Sequence, residues 1–479
     1  MEQLLSKRMS RVNIFSIFWA LVGVVCSGIC FISEIRNGWE LLFLPPLVCG
    51  LSVFVFGRAY TYWKDNIAFV IIFLSIAVRY FATPVLMVLS GSHLFNPTAE
   101  SFRVASIVYC YEIIVLLFCI DYFWTKHKAK RHKVVCELKR ERADFELSWA
   151  GWLFLMMLLA LVVVRGHLGN VFSHLSTWWN RFENNDVLYT YDLVAVEVIK
   201  SALVLSLVSF FAKLYYKNNG FLKILFLVLA LCVAVSNTML YQYENRTSII
   251  QLFLSTMYLF ISFFPHKKKS IVPLFVIGGT VLVGIIFYEM NISTSSAKNS
   301  LTSISKSAEL YVTGPSMVAK TRDTYYLVRE DFGLRNIWAD FVKGFHFFDM
   351  LPFLRPIYRT AVSIPRTNDL FVASLDGSTC ICPNYTFATY YASSYFGWLL
   401  EAVFILLIIK LICFVDDKKS RINDACFNYG FVYFELLLAQ AVFVNNFFLL
   451  WHAFTMMPAW LLIFAWVNRW GRKTKIICT

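Results

Sequence analysis

Charged residues are scarce in this chain. They make up 15% of its 479 residues, whereas soluble domains carry about 25%. Hydrophobic residues account for 58% of the chain and aromatic residues for 18%. A water-soluble core does not explain that balance, because too few polar side chains remain to cover it. The composition therefore excludes an ordinary soluble protein and indicates one whose main solvent is the lipid bilayer.

Patterns that would indicate a metal site are also missing. No two aspartates are separated by a single residue, so the Asp-x-Asp pair with which many soluble nucleotide-sugar transferases hold a divalent cation is absent. No spacing of histidines and cysteines fits a zinc site. Most of the twelve cysteines lie in apolar stretches, and a bridge between Cys380 and Cys382 would be strained. We therefore expect no metal, no other cofactor and no disulfide framework.

Apolar stretches long enough to cross a bilayer recur from one end of the chain to the other. A helix rises 1.5 Å per residue, so about 20 residues cross about 30 Å of hydrocarbon. On this basis we predict an all-α polytopic membrane protein with about twelve transmembrane helices. They lie near residues 13–33, 41–57, 67–90, 104–124, 148–165, 191–212, 221–241, 246–264, 271–288, 396–414, 426–444 and 447–466.

Basic residues stand in short runs between these stretches. Examples are KHKAKRHK at 126–133, HKKK at 266–269 and RWGRKTK at 469–475. The positive-inside rule assigns these runs to the cytoplasm, and both termini with them. The net charge of +14 then reflects topology, so we expect no nucleic-acid partner.

One long segment, 289–395, is too polar to span the membrane and is predicted to lie outside it. The chain then divides into membrane helices one to nine (1–288), the extracytoplasmic segment, and helices ten to twelve with a cytoplasmic tail (396–479). Part of the outer segment, 335–351, predicts an amphipathic helix along the membrane interface. The aromatic residues on its one face are Trp338, Phe341, Phe345 and Phe348.

Several charged residues fall inside or at the edge of predicted spans, where each needs a partner or water. Arg79 and Glu112 come out at nearly the same depth in neighbouring helices, which indicates either a structural ion pair or a role in lining a lipid-pyrophosphate pocket. Glu197 and Lys200, three apart on one helix, are predicted to satisfy each other. Arg246 begins the eighth helix after a tight turn, where its guanidinium can hold a phosphate beside free N–H groups or contact lipid headgroups.

The chain resembles the Wzy-type polymerases of O-antigen and capsular polysaccharide. The likeness rests on the arginine after a short turn in YENRTSII (243–250), on the large outer segment before the last helices, and on PNYTFATYYASSYFGWLLEAVF (383–404). The chain departs from the family pattern at 393–395, where an acidic residue often precedes Phe-Gly, and at Leu400, where a second glycine is common.

The resemblance implies a metal-independent, GT-C-like membrane glycosyltransferase in the bacterial cytoplasmic membrane. Its substrates would be oligosaccharides linked to undecaprenyl pyrophosphate, and a growing glycan would be moved to the non-reducing end of another lipid-linked unit. A chain-length regulator and a flippase are the partners that the family implies.

That chemistry needs positive charge for the departing pyrophosphate and a base for the acceptor hydroxyl. Arg246 and Arg322, with Arg355 or Arg359, meet the first need, and Arg79 would guard the entrance for the lipid tail. The candidates for the base are Asp323, Glu330, Asp331 and His346. Asp323 could equally be a surface charge partner of Arg322, and His346 an interfacial histidine.

Asn384, Tyr385 and Tyr391 precede the tenth helix and offer amide and aromatic contacts to a sugar ring, although a loop that only caps the bundle would use similar residues. Three other functions stay open: a flippase or other transporter of the same lipid-linked oligosaccharide, an O-antigen ligase, and a non-catalytic membrane scaffold. The outer segment argues against the transporter, whereas the ligase differs only in its acceptor.

Overall fold

The structure is a computed structural model of the whole chain, and everything below concerns the residues that it describes. These are residues 14–33, 38–135, 145–164, 190–239, 246–267, 269, 272–273, 277–279, 300–345, 348, 352–366, 370, 395–422, 424–443, 454–455 and 458–477. Within these ranges the regular secondary structure is helical, and no strand occurs.

Five of the described helices are long and apolar enough to cross a membrane. They are Phe15–Ile32, Ile67–Ser90, Ala99–Lys130, Val194–Lys217 and Trp398–Arg421. Shorter apolar helices accompany them, among them Leu44–Val55 and Trp149–Val164. The chain is therefore a helical membrane protein, and the full number of twelve spans stays a prediction.

The N-terminal helices are α1 (Ile14–Ile32), α2 (Leu44–Val55), α3 (Ile67–Ile76), α4 (Thr83–Ser90), α5 (Ala99–Cys119) and α6 (Thr125–Val135). Helices α1 to α5 overlap the first four predicted spans, whereas α6 covers the basic run at 126–133 that was predicted to be a cytoplasmic loop. Two π-helical turns, Ala77–Ala82 and Ile120–Trp124, join α3 to α4 and α5 to α6.

The remaining helices lie in the middle and C-terminal parts of the chain. They are α7 (Trp149–Val164), α8 (Thr190–Lys217), α9 (Gly220–Met239), α10 (Arg246–Phe263), α11 (Ser300–Val312), α12 (Pro315–Val328), α13 (Leu334–Gly344), α14 (Arg355–Val362), α15 (Tyr395–Arg421), α16 (Ala425–Ala441) and α17 (Pro458–Ile477). The predicted ninth span, 271–288, lies mostly outside the described residues.

Helices α8 and α15 continue past their predicted ends at 212 and 414, and two further helices differ from prediction. The last span was predicted at 447–466, but α17 begins at Pro458 and continues to Ile477. Its C-terminal turns contain lysines and arginines, which are good helix formers, so the helix does not stop where the apolar run does. The aromatic helix ends at Gly344, and Phe345 has a non-helical backbone. The prediction that Phe345 and Phe348 continue one helical face is therefore wrong.

The chain forms two compact units. The first contains Met1–Val134, Tyr288–Phe414 and Leu438–Trp451, and the second contains Val135–Phe287, Val415–Leu437 and His452–Thr479. The three-part division into membrane helices, outer segment and last helices concerns topology and stays a prediction.

In the first unit, α11 and α12 form a helical hairpin with a turn of two residues. Gly314 donates its backbone N–H to the Glu309 carbonyl oxygen at 2.7 Å, and Thr313 has a φ of 52°. This is the Schellman ending of a helix, with a left-handed residue just past the last turn. Pro315 then begins α12, where its missing N–H costs nothing. A side chain at Gly314 would not fit, because a Cβ atom would lie 2.4 Å from the Glu309 Cγ atom.

This hairpin packs alongside span-length helices. Helix α11 contacts α4, and α12 contacts α5. Near the C-terminal end of α12, Asp323 accepts hydrogen bonds from the backbone and the hydroxyl of Thr98, both at 2.7 Å. At the tip, the Tyr109 hydroxyl donates to the Thr313 carbonyl. Thr98 and Tyr109 are eleven residues apart, which is about 16 Å along α5 at 1.5 Å per residue.

The hairpin therefore enters the bundle without crossing it. Its helices have 13 and 14 residues, whereas a span needs about 20. Irregular backbone at such a depth is tolerated where protein surrounds it. Part of the segment that was predicted to lie outside the membrane thus packs between helices whose length and composition suit the membrane. Hydropathy does not reveal such a hairpin, since neither helix is long or apolar enough.

Helices α13 and α14 form a second small pair in the first unit. Asn336 is fully buried and donates its side-chain amide to the Pro365 carbonyl at 3.0 Å. Its amide oxygen accepts from the Gly333 backbone at 2.9 Å and so caps the start of α13. Lys343 donates to the Ile364 carbonyl at the other end of the pair. The pair is thus fixed by side-chain to backbone bonds at both ends of α13.

The second unit is built on α7, α8, α9, α10 and α17. Helix α8 packs against α9, and α7 against α17. Asn468 is fully buried and links α17 to the start of α7: it accepts from the Ser148 N–H at 2.7 Å and donates to the Glu146 carbonyl at 3.0 Å. The predicted pairing of Lys200 with Glu197 is confirmed, at 2.7 Å.

Helices α1 and α2 approach each other through glycines. A Cβ atom on Gly23 would lie 2.5 Å from the Gly50 Cα atom, so no larger residue fits without separating the helices. We expect Gly23→Ala to lower the free energy of unfolding by about 1–3 kcal/mol, measured as a lower Tm in detergent. Gly28→Ala is the control on the same helix, because a Cβ there meets nothing within 4 Å. Equal Tm values for the two variants would contradict the close contact.

Candidate functional site

The candidate site lies in the first unit, where the hairpin tip meets a buried arginine. Arg79 belongs to the π-helical turn Ala77–Ala82. Pro84 explains the turn, because its nitrogen carries no hydrogen to donate to the carbonyl four residues earlier. The Val78 carbonyl accepts both the backbone N–H and the hydroxyl of Thr83, the latter at 2.9 Å. Such widened turns are frequent at functional sites.

Arg79 is fully buried and makes three described hydrogen bonds. One guanidinium nitrogen, Nη2, donates to Glu112 Oε2 at 2.8 Å. The other, Nη1, donates to the carbonyls of Val312 at 2.7 Å and Phe443 at 3.1 Å. The guanidinium also lies over the Tyr109 ring, 4.4 Å from its centroid. The predicted ion pair between Arg79 and Glu112 is confirmed.

Arg79 thus caps the C-terminal end of α11. The last carbonyls of a helix carry a partial negative charge and lack partners within the helix. The Val312 carbonyl accepts a hydrogen bond from Arg79, and the Thr313 carbonyl accepts one from the Tyr109 hydroxyl. Two side chains from the span-length helices therefore hold the tip of the hairpin.

Thr313 itself is unusual. A β-branched residue with a positive φ is strained, at a cost of about 1–3 kcal/mol. Its hydroxyl is buried and has no hydrogen-bond partner among the described residues. Strain and an unsatisfied polar group at one position are features that cluster at ligand and catalytic sites.

A second carboxyl group lies in the same cluster. Glu401, on α15, is 1% exposed, and neither of its oxygens has a hydrogen-bond partner among the described residues. It interacts electrostatically with Glu112 and with Arg79. The cluster therefore contains two carboxyl groups and one guanidinium, all of them buried.

Glu309 lies one turn before the end of α11 and is fully buried. Its carboxylate accepts from the backbone N–H groups of Leu94 at 3.1 Å and Ser316 at 3.3 Å, and from the Ser316 hydroxyl. Burial raises the pKa of Glu309 to about 7, although these hydrogen bonds act in the opposite direction. A carboxyl group with that pKa can take or give a proton near neutral pH.

Arg322 and Asp323, both predicted as catalytic, connect α12 to the first turn of α5. Arg322 donates to the Ser101 hydroxyl and to Glu100, both at 2.8 Å. Asp323 accepts from Ser101 at 2.5 Å in addition to its two bonds with Thr98. In this structure the two residues fix the hairpin against α5, and their catalytic roles stay predictions.

Four other predicted residues lie on the surface, away from the buried cluster. Arg355 and Arg359 stand one turn apart on an exposed face of α14, and Glu330 and Asp331 are exposed just after α12. Helix α10 begins at Arg246 as predicted, in the second unit. The Arg246 side chain and all of the following lie outside the described residues: His346, Asn384, Tyr385 and Tyr391.

Glu401 and Glu309 were missed by the sequence analysis. Glu401 stands in the run WLLEAVFILLIIK, so a lone carboxyl group within an apolar stretch was a visible signal. Glu309 gave no signal, because it stands in a polar segment and is buried only by the folding of the hairpin. Within the described ranges, no three histidine, cysteine, aspartate or glutamate side chains are arranged to hold a metal ion.

The raised pKa of Glu309 makes stability depend on pH. Between pH 4.5 and about 7 the folded protein holds a proton that the unfolded chain has released, so the free energy of unfolding falls as the pH rises through this window. The proton contributes about 3 kcal/mol to the free energy of unfolding at low pH. This contribution is lost by about pH 7, and the free energy of unfolding then no longer depends on the titration of Glu309. We expect Glu309→Gln to reduce this fall, measured as Tm against pH. Glu330→Gln, at an exposed site, is the control and should keep the wild-type slope; the same slope in both variants would contradict the assignment.

Comparisons of the chain with protein-family models, with curated proteins and with solved structures gave no match.

Proposed function

We propose that this protein is a membrane-embedded glycosyltransferase that polymerises lipid-linked oligosaccharide repeat units in the bacterial cytoplasmic membrane. The reaction breaks the bond between undecaprenyl pyrophosphate and the first sugar of the growing glycan. It forms a glycosidic bond to a hydroxyl at the non-reducing end of a second lipid-linked unit. The acceptor hydroxyl loses its proton, and undecaprenyl pyrophosphate departs.

The observation that carries this proposal is the group of short helices between α10 and α15. Helices α11 to α14 have 13, 14, 11 and 8 residues, each below the length of about 20 that a span requires. A polymerase needs such a non-spanning region to handle the sugars of its substrates at the membrane surface. The reaction itself is proposed from the family resemblance, which rests on the arginine of YENRTSII and on the segment at 383–404.

The described residues offer groups for both chemical requirements. Arg355 and Arg359 lie one turn apart on the exposed face of α14, a spacing that suits the two phosphates of a pyrophosphate. Glu309 joins the candidates for the base, because its pKa of about 7 suits proton transfer near neutral pH. Arg79 is less suited to hold a phosphate, since its described bonds already go to Glu112 and two carbonyls.

A deletion strain tests the reaction. If the protein is a polymerase, loss of the gene leaves single repeat units that still reach the cell surface, because their export does not depend on joining them. The measurement is the length and the sidedness of the glycan, by gel ladder and by surface labelling. A strain that still assembles long chains would contradict the proposal. If the strain instead lost polymer attached to its final acceptor and accumulated polymer still linked to the lipid carrier, the protein would be a ligase.

Arg246 is the residue whose substitution tests the assigned chemistry. We expect Arg246→Ala to reduce polymer formation by about 10²–10³-fold, the loss typical of one charge-stabilising donor, while the protein still inserts in the membrane. Arg246→Lys should recover only part of the activity, because lysine cannot bind a phosphate bidentately. The control is Arg421→Ala, an exposed arginine paired with Asp417 at 3.0 Å. Normal chain ladders from Arg246→Ala would refute its role.

A transporter is the second candidate, and Glu401 is the observation that favours it. Buried carboxyl groups within spans often mark ion or proton pathways. The deletion strain separates the two functions, because a strain that lacks the transporter retains single lipid-linked units inside the cell. Single units on the cell surface would exclude the transporter.

A further inference from the structure

The neighbours of Glu401 decide its charge. Glu401 interacts electrostatically with Glu112 and Tyr111 of α5 and with Arg79 of the π-helical turn. The Tyr111 hydroxyl donates to the Trp398 carbonyl at 2.5 Å, one turn before Glu401 on α15, and the two rings meet edge to face at 4.6 Å. This contact holds α5 and α15 together beside the carboxyl group.

Among the described residues, the guanidinium that interacts with Glu401 already has acceptors of its own. Arg79 donates to Glu112 through Nη2 and to the carbonyls of Val312 and Phe443 through Nη1. One guanidinium balances one carboxylate, so a second ionised carboxyl group in the cluster would be uncompensated. An uncompensated buried charge costs several kcal/mol, and a carboxyl group so placed takes up a proton instead.

We propose that Glu401 is a proton-binding site: its carboxyl group carries a proton while Glu112 stays ionised against Arg79. Release of that proton creates a second anion, which competes with the Val312 and Phe443 carbonyls for the arginine. Proton occupancy is thereby linked to the contact that holds the hairpin tip. The site does not depend on the proposed polymerase activity.

A proton fits this site better than a metal ion does. Metal cations such as Ca²⁺ and Mg²⁺ require six or more oxygen ligands, several of them from the protein or water. Glu401 has no oxygen partner among the described residues, and no described group of three potential metal ligands includes it. A proton needs only the carboxyl group itself.

Infrared spectroscopy tests the protonation directly. Protonated carboxyl groups have a carbonyl stretch that is separate from the carboxylate and amide bands and that shifts in D₂O. In the difference between the wild-type protein and Glu401→Gln at neutral pH, we expect the loss of one such band. The contribution of Glu309 cancels, because both proteins contain it. The absence of any lost band would overturn the proposal.

Matched variants test the division of charge between the two carboxyl groups. Glu401→Gln preserves a neutral side chain of the same shape, so Tm in detergent should stay within error of the wild type. In Glu112→Gln, Glu401 becomes the partner of Arg79 and gives up its proton, so its infrared band should disappear and Tm should fall. The double variant removes both carboxyl groups that interact with Arg79 among the described residues, and we expect a loss of monodisperse protein.

Three results would refute the proposal. The first is a fall in Tm for Glu401→Gln as large as that for Glu112→Gln, because it would mean that Glu401 is ionised. The second is failure of Glu401→Gln to fold, since glutamine retains the shape and neutrality of the proposed state. The third is a double variant no less stable than Glu112→Gln, which would show that Glu401 does not replace Glu112.

Discussion

A buried guanidinium organises the first unit. An arginine at the centre of a span costs about 2.5–3.5 kcal/mol on insertion scales, and Arg79 offsets that cost only by collecting acceptors from separate parts of the chain. Glu112 comes from α5, the Val312 carbonyl from the end of α11, and the Phe443 carbonyl from just after α16. Because these acceptors are distant in sequence, the arginine fixes how the helices of this unit meet. Removing it would leave a buried carboxylate and two carbonyls without their donor.

The same arginine allows a strained turn to persist. Thr313 adopts a left-handed backbone that a β-branched residue avoids, and the carbonyls on either side of its Cα atom are held by Arg79 and Tyr109. Gly314 and Pro315 then let α12 begin at once, so the chain reverses within two residues. The contacts of Arg322 and Asp323 with the first turn of α5 fix the other end of the hairpin. The hairpin is thus held at both ends, and its tip lies beside the cluster of carboxyl groups.

Much of the helical framework could be predicted from the sequence, because apolar runs and basic flanks are local signals. The pairing of Arg79 with Glu112 was also predictable, since helical rise alone puts both at one depth. The hairpin was not, because its short helices are stabilised by tertiary contacts such as those of Asp323 with Thr98. The burial of Glu309 has the same origin. The end of α17 was misplaced because hydropathy does not register a helix that continues into basic residues, and α13 ended early at a glycine that periodicity ignores.

The buried cluster does not provide the accessible positive charge that the proposed polymerisation would need. A departing pyrophosphate needs cations that can approach it, whereas Arg79 is fully buried and bound to acceptors of its own. In the proposed reaction, positive charge for that step would come from arginines outside the cluster, such as Arg355 and Arg359 on α14. The cluster is suited instead to positioning: its guanidinium bonds the Val312 carbonyl at the tip of α11, and the proton proposed for Glu401 would affect how firmly that contact is held.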